Sequence, residues 1–285
     1  MFLFNFLHTF NPSPILISLG PIHVYWYGFF IVLGVLAALT VTIRLAKFYQ
    51  IKTDTIIDLA LWLVVGGIMG ARIYDIFLEW PYFSAHPLDI LKIWQGGLAI
   101  HGAIIGGLIA LWLFVKKYSA QVNFWQLAAI FATVLPLAQA IGRWGNYFNQ
   151  ELFGYPTNLP WGIPIDMTHR PWQYLNSEYF HPAFLYESLG NLLIFLILLS
   201  LQIWLIKKSR SLGLRAMSYE LCVVSYAIFY SLLRFSMEFI RIDPTPVILG
   251  WRLPQLASFI IIIACLIYLG LKFGRQNKNN PALEK

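Results

Sequence analysis

The sequence predicts an all-α, polytopic membrane bundle with about seven transmembrane helices and a long outer-face loop, a cap, between the fourth and fifth. Composition, the lengths of the apolar runs and the placement of basic residues predict it. Of 285 residues, 59% are hydrophobic and 12% charged, with a mean hydropathy of +0.66. Soluble globular chains carry roughly 45–50% apolar and about 25% charged residues, so a single water-soluble core is excluded. The net charge of +7, from 20 Lys and Arg against 13 Asp and Glu, resembles a nucleic-acid binder only as a total. The basic residues cluster in short segments between apolar runs, as membrane topology demands, and no nucleic-acid partner is expected.

About 20 apolar residues cross a hydrocarbon core of about 30 Å as a helix. With that ruler the spans fall at approximately 24–43, 55–78, 97–115, 124–142, 184–206, 216–240 and 254–273. Before the first, MFLFNFLHTFNPSPILISLG contains no Lys or Arg and so lacks the basic start of a cleavable signal peptide; the N-terminus is expected to be retained. The stretch of about 40 residues after the fourth span is rich in Gly, Pro, Asn and aromatic residues, which predicts a compact, partly embedded cap with a functional role. One integral domain is expected over residues 1–273, followed by a polar, disordered tail at 274–285. Cys222 and Cys265 lie inside apolar runs and suggest no disulfide, metal site or nucleophile.

Seven spans put the termini on opposite sides. One set of connecting segments holds thirteen basic residues, from Arg44 to Lys285, and the other holds five: Lys92, Arg143, Arg170, Arg241 and Arg252. The bias predicts the N-terminus outside and the C-terminus in the cytoplasm. The cap, the His101 end of the third span and the Arg234 end of the sixth then lie toward the outer face.

Ionisable groups inside a bilayer are costly and face a partner, the bundle interior or a water-filled cavity. In the sixth span Tyr230, Arg234, Glu238 and Arg241 recur at helical spacing and share one face. Arg234 and Glu238 could simply neutralise each other, but Arg241 leaves positive charge on the stripe, which an anionic headgroup would balance. The fourth span ends in GRWGNYFNQE, which sets Arg143 beside Asn146, Asn149 and Glu151. Glycines allow close backbone approach, and arginine offers a planar donor fork matched to phosphate oxygens.

His101, in GGLAIHGAIIGG, is expected about one turn into the third helix. A lone histidine there reads equally as a hydrogen-bonded packing residue or as a base, the group that thiol chemistry requires. Arg72, with Asp75 three residues on, reads as a helix-end ion pair or as a site residue, and Tyr27 in YWYGFF alone reads as interfacial belt.

Together these residues resemble one family. GRWGNYFNQE is similar to the signature decapeptide of prolipoprotein diacylglyceryl transferases, and YWYG, GAR, GGLAIHG, HPAFLYE and FYSLLRFSMEFIR follow in matching order over most of the chain. The resemblance implies transfer of an sn-1,2-diacylglyceryl group from phosphatidylglycerol to the lipobox cysteine of a prolipoprotein in the bacterial plasma membrane, with release of glycerol 1-phosphate and no metal or cofactor. It implies that Arg143 and Arg234 hold the phosphate, that His101 is the base, and that Tyr27, Asn146, Glu151, Gly154 and Glu238 shape the headgroup site. Arg72 and Tyr230 match supporting positions. The chain departs from the pattern at Ala103, Phe184, Tyr147 and Tyr74–Asp75, none in the charged core of the site. A transporter for an anionic substrate would also carry buried arginines, but it predicts paired halves, and no internal symmetry is found. An intramembrane protease would need GxSxG or HExxH, and neither occurs.

Overall fold

The structure, a computed structural model, describes residues 2–20, 22–93, 96–212 and 215–279. The described residues form α1 (Phe2–Thr9), α2 (Trp26–Phe48), α3 (Thr53–Leu78), α4 (Trp80–Ala85), α5 (Ile100–Lys117), α6 (Phe124–Phe148), α7 (Ala183–Leu212), α8 (Arg215–Met237) and α9 (Leu253–Asn279). Seven of these, α2, α3 and α5 to α9, are long and apolar enough to cross a membrane, matching the seven expected spans. In α9 only 11% of the apolar window is buried, which suits a helix whose flanks meet lipid rather than water.

The boundaries differ at functional ends. α6 runs on to Phe148 instead of stopping at Gly142, so both glycines of GRWG lie inside the helix. α5 opens at Ile100 rather than 97, which puts His101 at its second residue instead of one turn in. α8 ends at Met237, but the backbone bonds Glu238 N–H to Arg234 O and Arg241 N–H to Met237 O keep the helical path for one more turn. At the other end of the chain, α9 continues through Asn279 into the expected tail, whose residues 280–285 lie outside the described residues.

The chain divides into two compact units, residues 1–38 with 131–285, and residues 39–130. In the second unit α3 and α5 pack through two GxxxG pairs, Gly66–Gly70 and Gly102–Gly106. A Cβ on Gly70 would strike Gly102 O, and one on Gly106 would strike Gly66 O, so only glycine permits this backbone approach. In the first unit a cap forms between α6 and α7. The strands β3 (Ile163–Pro164) and β4 (Tyr179–Phe180) pair antiparallel, following a hairpin of β1 (Ile15–Leu19) and β2 (Ile22–Tyr25) earlier in the chain. Leu7 of α1, Phe153, Ile163, Ile165 and Phe180 form the cap's core with Tyr147, Phe184 and Leu185. Two of the departures from the family pattern meet here, for Tyr147 stacks on Phe184 with centroids 4.6 Å apart.

Gln150 fastens the cap. It has φ +50°, sparsely populated for a non-glycine residue. Its Oε1 accepts the Asp166 N–H at 2.6 Å, while its Nε2 donates to Asp166 Oδ2 at 2.7 Å and Pro12 O at 3.0 Å. Asn11 donates to the other oxygen of Asp166. With the φ of +57° at Leu152, this brackets Glu151 between two left-handed residues.

Candidate active site

Charge in the first unit gathers on one carboxylate that the sequence reading quoted but did not single out. Glu187, five residues into α7 in the HPAFLYE segment, is buried and meets three arginines: Arg143 Nε at 2.5 Å, Arg241 Nη1 at 2.8 Å and Arg234 Nη1 at 3.8 Å. Its signal was an acid inside an apolar span, which always needs a partner. The sixth-span stripe forms as its spacing predicts, with Arg234 Nη2 paired to Glu238 Oε1 at i,i+4. A residue from outside that stripe completes the cluster. Arg252, on the short strand β6 (Trp251–Arg252) that pairs with β5 (Val247–Ile248), sets Nε 2.8 Å from Glu238 Oε2. Asp243 pairs with Arg241 at 2.7 Å.

The ion-paired cluster thus holds four guanidiniums, Arg143, Arg234, Arg241 and Arg252, against three carboxylates, Glu187, Glu238 and Asp243, one positive charge in excess. Burial divides the roles. Arg241 keeps 5% of its side-chain surface, whereas Arg143, Arg234 and Arg252 keep 20%, 19% and 18% and are the reachable cations of the cluster. Burial alone would disfavour the charges on Arg241 and Asp243, but their mutual hydrogen bond and attraction outweigh it. Arg241 is held more firmly protonated, and the Asp243 carboxyl lies below the usual carboxylate range.

Arg143, Glu187, Asn191, Tyr230 and Arg234 line a cavity of about 10 Å³, room for about one water molecule. Arg234 Nη1 is buried and has no hydrogen-bond acceptor among the described residues, and Asn191 Oδ1 and both Glu238 carboxylate oxygens are buried without a hydrogen-bond donor among them. Tyr230 stacks on Tyr226 with centroids 5.6 Å apart. A buried arginine N–H without an acceptor is costly unless something supplies one.

The glycines and amides of the signature have definite work. A Cβ on Gly145 would lie 2.8 Å from the Tyr27 ring, so this glycine lets Tyr27 of α2 settle on α6. Asn146 is buried and donates to Glu151 Oε1 at 2.7 Å, while the Asn149 N–H closes the last turn of α6 on Gly145 O. Gly154 bridges to Arg241 in an isolated β-bridge and donates to His181 O at 2.9 Å. A Cβ there would sit 2.7 to 2.8 Å from Ile240 and His181. The cap is therefore stitched by backbone to the arginine cluster. Glu238 has no exposed side-chain surface and contacts arginines, so it meets a headgroup only through them.

Arg72 and His101 belong to the second unit. Arg72 is buried and forms the expected pair with Asp75 at 3.6 Å, but its donors go to backbone: Nε to Ile90 O at 3.0 Å, Nη1 to Gly96 O and Gly97 O at 3.0 and 2.9 Å, and Nη2 to Asp89 O. Its guanidinium also sits 4.8 Å from the Phe83 ring centroid. His101 is exposed, its ring 5.9 Å from that of Tyr74.

The family model described as prolipoprotein diacylglyceryl transferase matches residues 14–271. The chain belongs to that family. Among its relatives, a phosphatidylglycerol–prolipoprotein diacylglyceryl transferase of Synechococcus elongatus is 43% identical over 280 residues, covering 96% of this chain and 93% of the relative. Those so named from Nostoc sp. and Trichormus variabilis are each 46% identical over 273 residues, covering 95% of this chain and 93% of each relative.

Proposed function

We propose that this transferase-family chain moves the sn-1,2-diacylglyceryl group of phosphatidylglycerol onto the lipobox cysteine thiol of a prolipoprotein signal peptide, the first step of lipoprotein maturation. It would act at the outer face of a bacterial inner membrane, with the N-terminus outside. The observation that carries this reading is the arginine cluster with one positive charge in excess and a buried Arg234 N–H lacking an acceptor. A phosphodiester carries one negative charge and supplies acceptor oxygens.

In the reaction, the cysteine sulfur attacks the glycerol carbon that bears the phosphate. The bond from that diacylglyceryl carbon to the phosphate oxygen breaks and its electron pair leaves with glycerol 1-phosphate, while the new carbon–sulfur bond is the thioether on the peptide. Arg143 and Arg234 bind the phosphate and stabilise the charge that grows on the departing oxygen, where preorganised donors lower the barrier most. Glu187, Glu238 and Arg241 hold those two guanidiniums in place. Tyr27, Asn146, Glu151 and Gly154 shape the surroundings of the headgroup. His101 takes the thiol proton, and the nucleophile is the substrate's own, so the enzyme needs none.

Purified protein in detergent, given phosphatidylglycerol labelled in its diacylglyceryl part and a synthetic lipobox peptide, is expected to label the cysteine peptide and not its Cys→Ser counterpart. Equal labelling of both, or of neither by folded protein, rejects the reading. For the proton, a His101→Gln variant is expected to lose activity near neutral pH and recover it as pH rises toward the thiol's own range of about 8.5. A loss that is flat with pH would assign His101 to packing.

A further inference from the structure

We infer that Arg252 is a positioning residue for phosphate binding: by occupying one oxygen of Glu238, it keeps the Arg234 fork from being closed by its own counter-ion. The inference rests on the reading of Arg143 and Arg234 as the phosphate-binding pair.

A free carboxylate beside an arginine prefers a two-pronged arrangement, both oxygens on two parallel N–H groups. Glu238 stands one helical turn from Arg234 and could reach it in that way. It does not: its two oxygens lie in ion-pair contact with different arginines, Oε1 with Arg234 Nη2 and Oε2 with Arg252 Nε, and neither has a hydrogen bond among the described residues, the one Nε–H of Arg252 going to Thr245. Arg234 Nη1 is likewise buried without an acceptor among the described residues, and Arg234 lines a small cavity together with Arg143. Arg252 also contributes the charge that takes the cluster from balance to one positive in excess.

Arg252 is placed for this by the backbone. It donates through Nη1 to Glu238 O at 3.1 Å and to Arg241 O, and through Nη2 to Asp243 O. Thr245 Oγ1 accepts from its Nε at 2.8 Å, and its own N–H donates to Gln255 Oε1 at 3.1 Å. These carbonyls belong to the turn just past α8, so one side chain both ends the helix and aims its last carboxylate. That double role requires a test that separates aiming from folding.

The experiment compares Arg252→Gln and Arg252→Lys with the unaltered protein, measuring KM for phosphatidylglycerol, kcat at saturating lipid and thermal stability. For Arg252→Gln, Glu238 swings onto Arg234 and KM is expected to rise about tenfold, the loss of one charge-assisted hydrogen bond, with kcat within about threefold. Lysine retains the charge and one contact to Glu238 but not the carbonyl cap. Arg252→Lys is therefore expected to restore KM to within about threefold while remaining less heat-stable than the parent. An unchanged KM in Arg252→Gln, or a KM in Arg252→Lys that tracks its stability loss, overturns the inference. Should Arg252→Gln not fold, the lysine variant decides alone by the same criterion. Arg234→Ala in the same assay separates the two layers: if it keeps its activity the phosphate-binding reading itself fails, whereas an inactive Arg234→Ala beside an unaffected Arg252→Gln removes only the role of Arg252.

Discussion

Arg234 and Arg72 are both arginines at membrane helix ends, and the molecule treats them oppositely. Arg72 spends four hydrogen bonds on the carbonyls of residues 89, 90, 96 and 97, with Asp75 and the Phe83 ring beside it. Little donor capacity is left for a ligand; the residue ties residues 89, 90, 96 and 97 to α3. Arg234 has carboxylates for neighbours instead, and a buried Nη1 that none of them satisfies. Arg72 is caged by carbonyls and builds structure, whereas Arg234 sits in an ion network with one positive charge in excess, which suits the anion binding proposed for it. Residue type is shared, so the acceptors make the difference.

The sharpest break in that contrast is Glu187→Gln. Removing the carboxylate that three arginines share leaves buried positive charge uncompensated, and a stability loss of about 3–5 kcal/mol is expected in chemical or thermal unfolding, with nothing comparable on the Arg72 side. Next come Arg143→Ala and Arg234→Ala, expected to lower kcat/KM for diacylglyceryl transfer by about 10²–10³ or more while membrane insertion and yield persist. Near-normal turnover by either would end the distinction. Arg72→Lys should do the reverse. A lysine has three donors in place of the fork, so about 1–3 kcal/mol of stability is lost with KM for phosphatidylglycerol unchanged.

The smallest effect is on acid stability. The Asp243 carboxyl is held below its ordinary value of about 4, so its pairing with Arg241 stabilises fully above that value and is lost as pH falls through the lower, folded value. Backbone carbonyls do not titrate. Asp243→Asn should therefore flatten the acid side of the stability profile, and an unchanged profile would show that Asp243 contributes nothing there.

Much of this was legible beforehand. Apolar run length gave all seven spans, because a bilayer imposes one length on every crossing helix. The 4-4-3 spacing gave the Arg234–Glu238 pair, which is local to one helix. The ends of helices were read less well. α6 outlasts its glycines because one of them, Gly145, is needed against Tyr27 rather than as a stop, and past the end of α8 at Met237 the carbonyls of Glu238, Arg241 and Asp243 are taken up by Arg252. Glu187 and Gln150 were passed over because their partners lie far away in sequence, and Arg252 because its partners, though within fourteen residues, lie across a non-helical turn with no fixed spacing.

The sequence by itself determined that this is a membrane bundle, which transferase family it resembles, and which arginines are candidates for the phosphate. Local periodicity and composition suffice for that, since lipid penalises every buried charge that lacks a reason. Only the tertiary structure decided which arginines are already satisfied. That depends on whether carbonyls or carboxylates from other helices surround each guanidinium, and no pattern within one helix contains it.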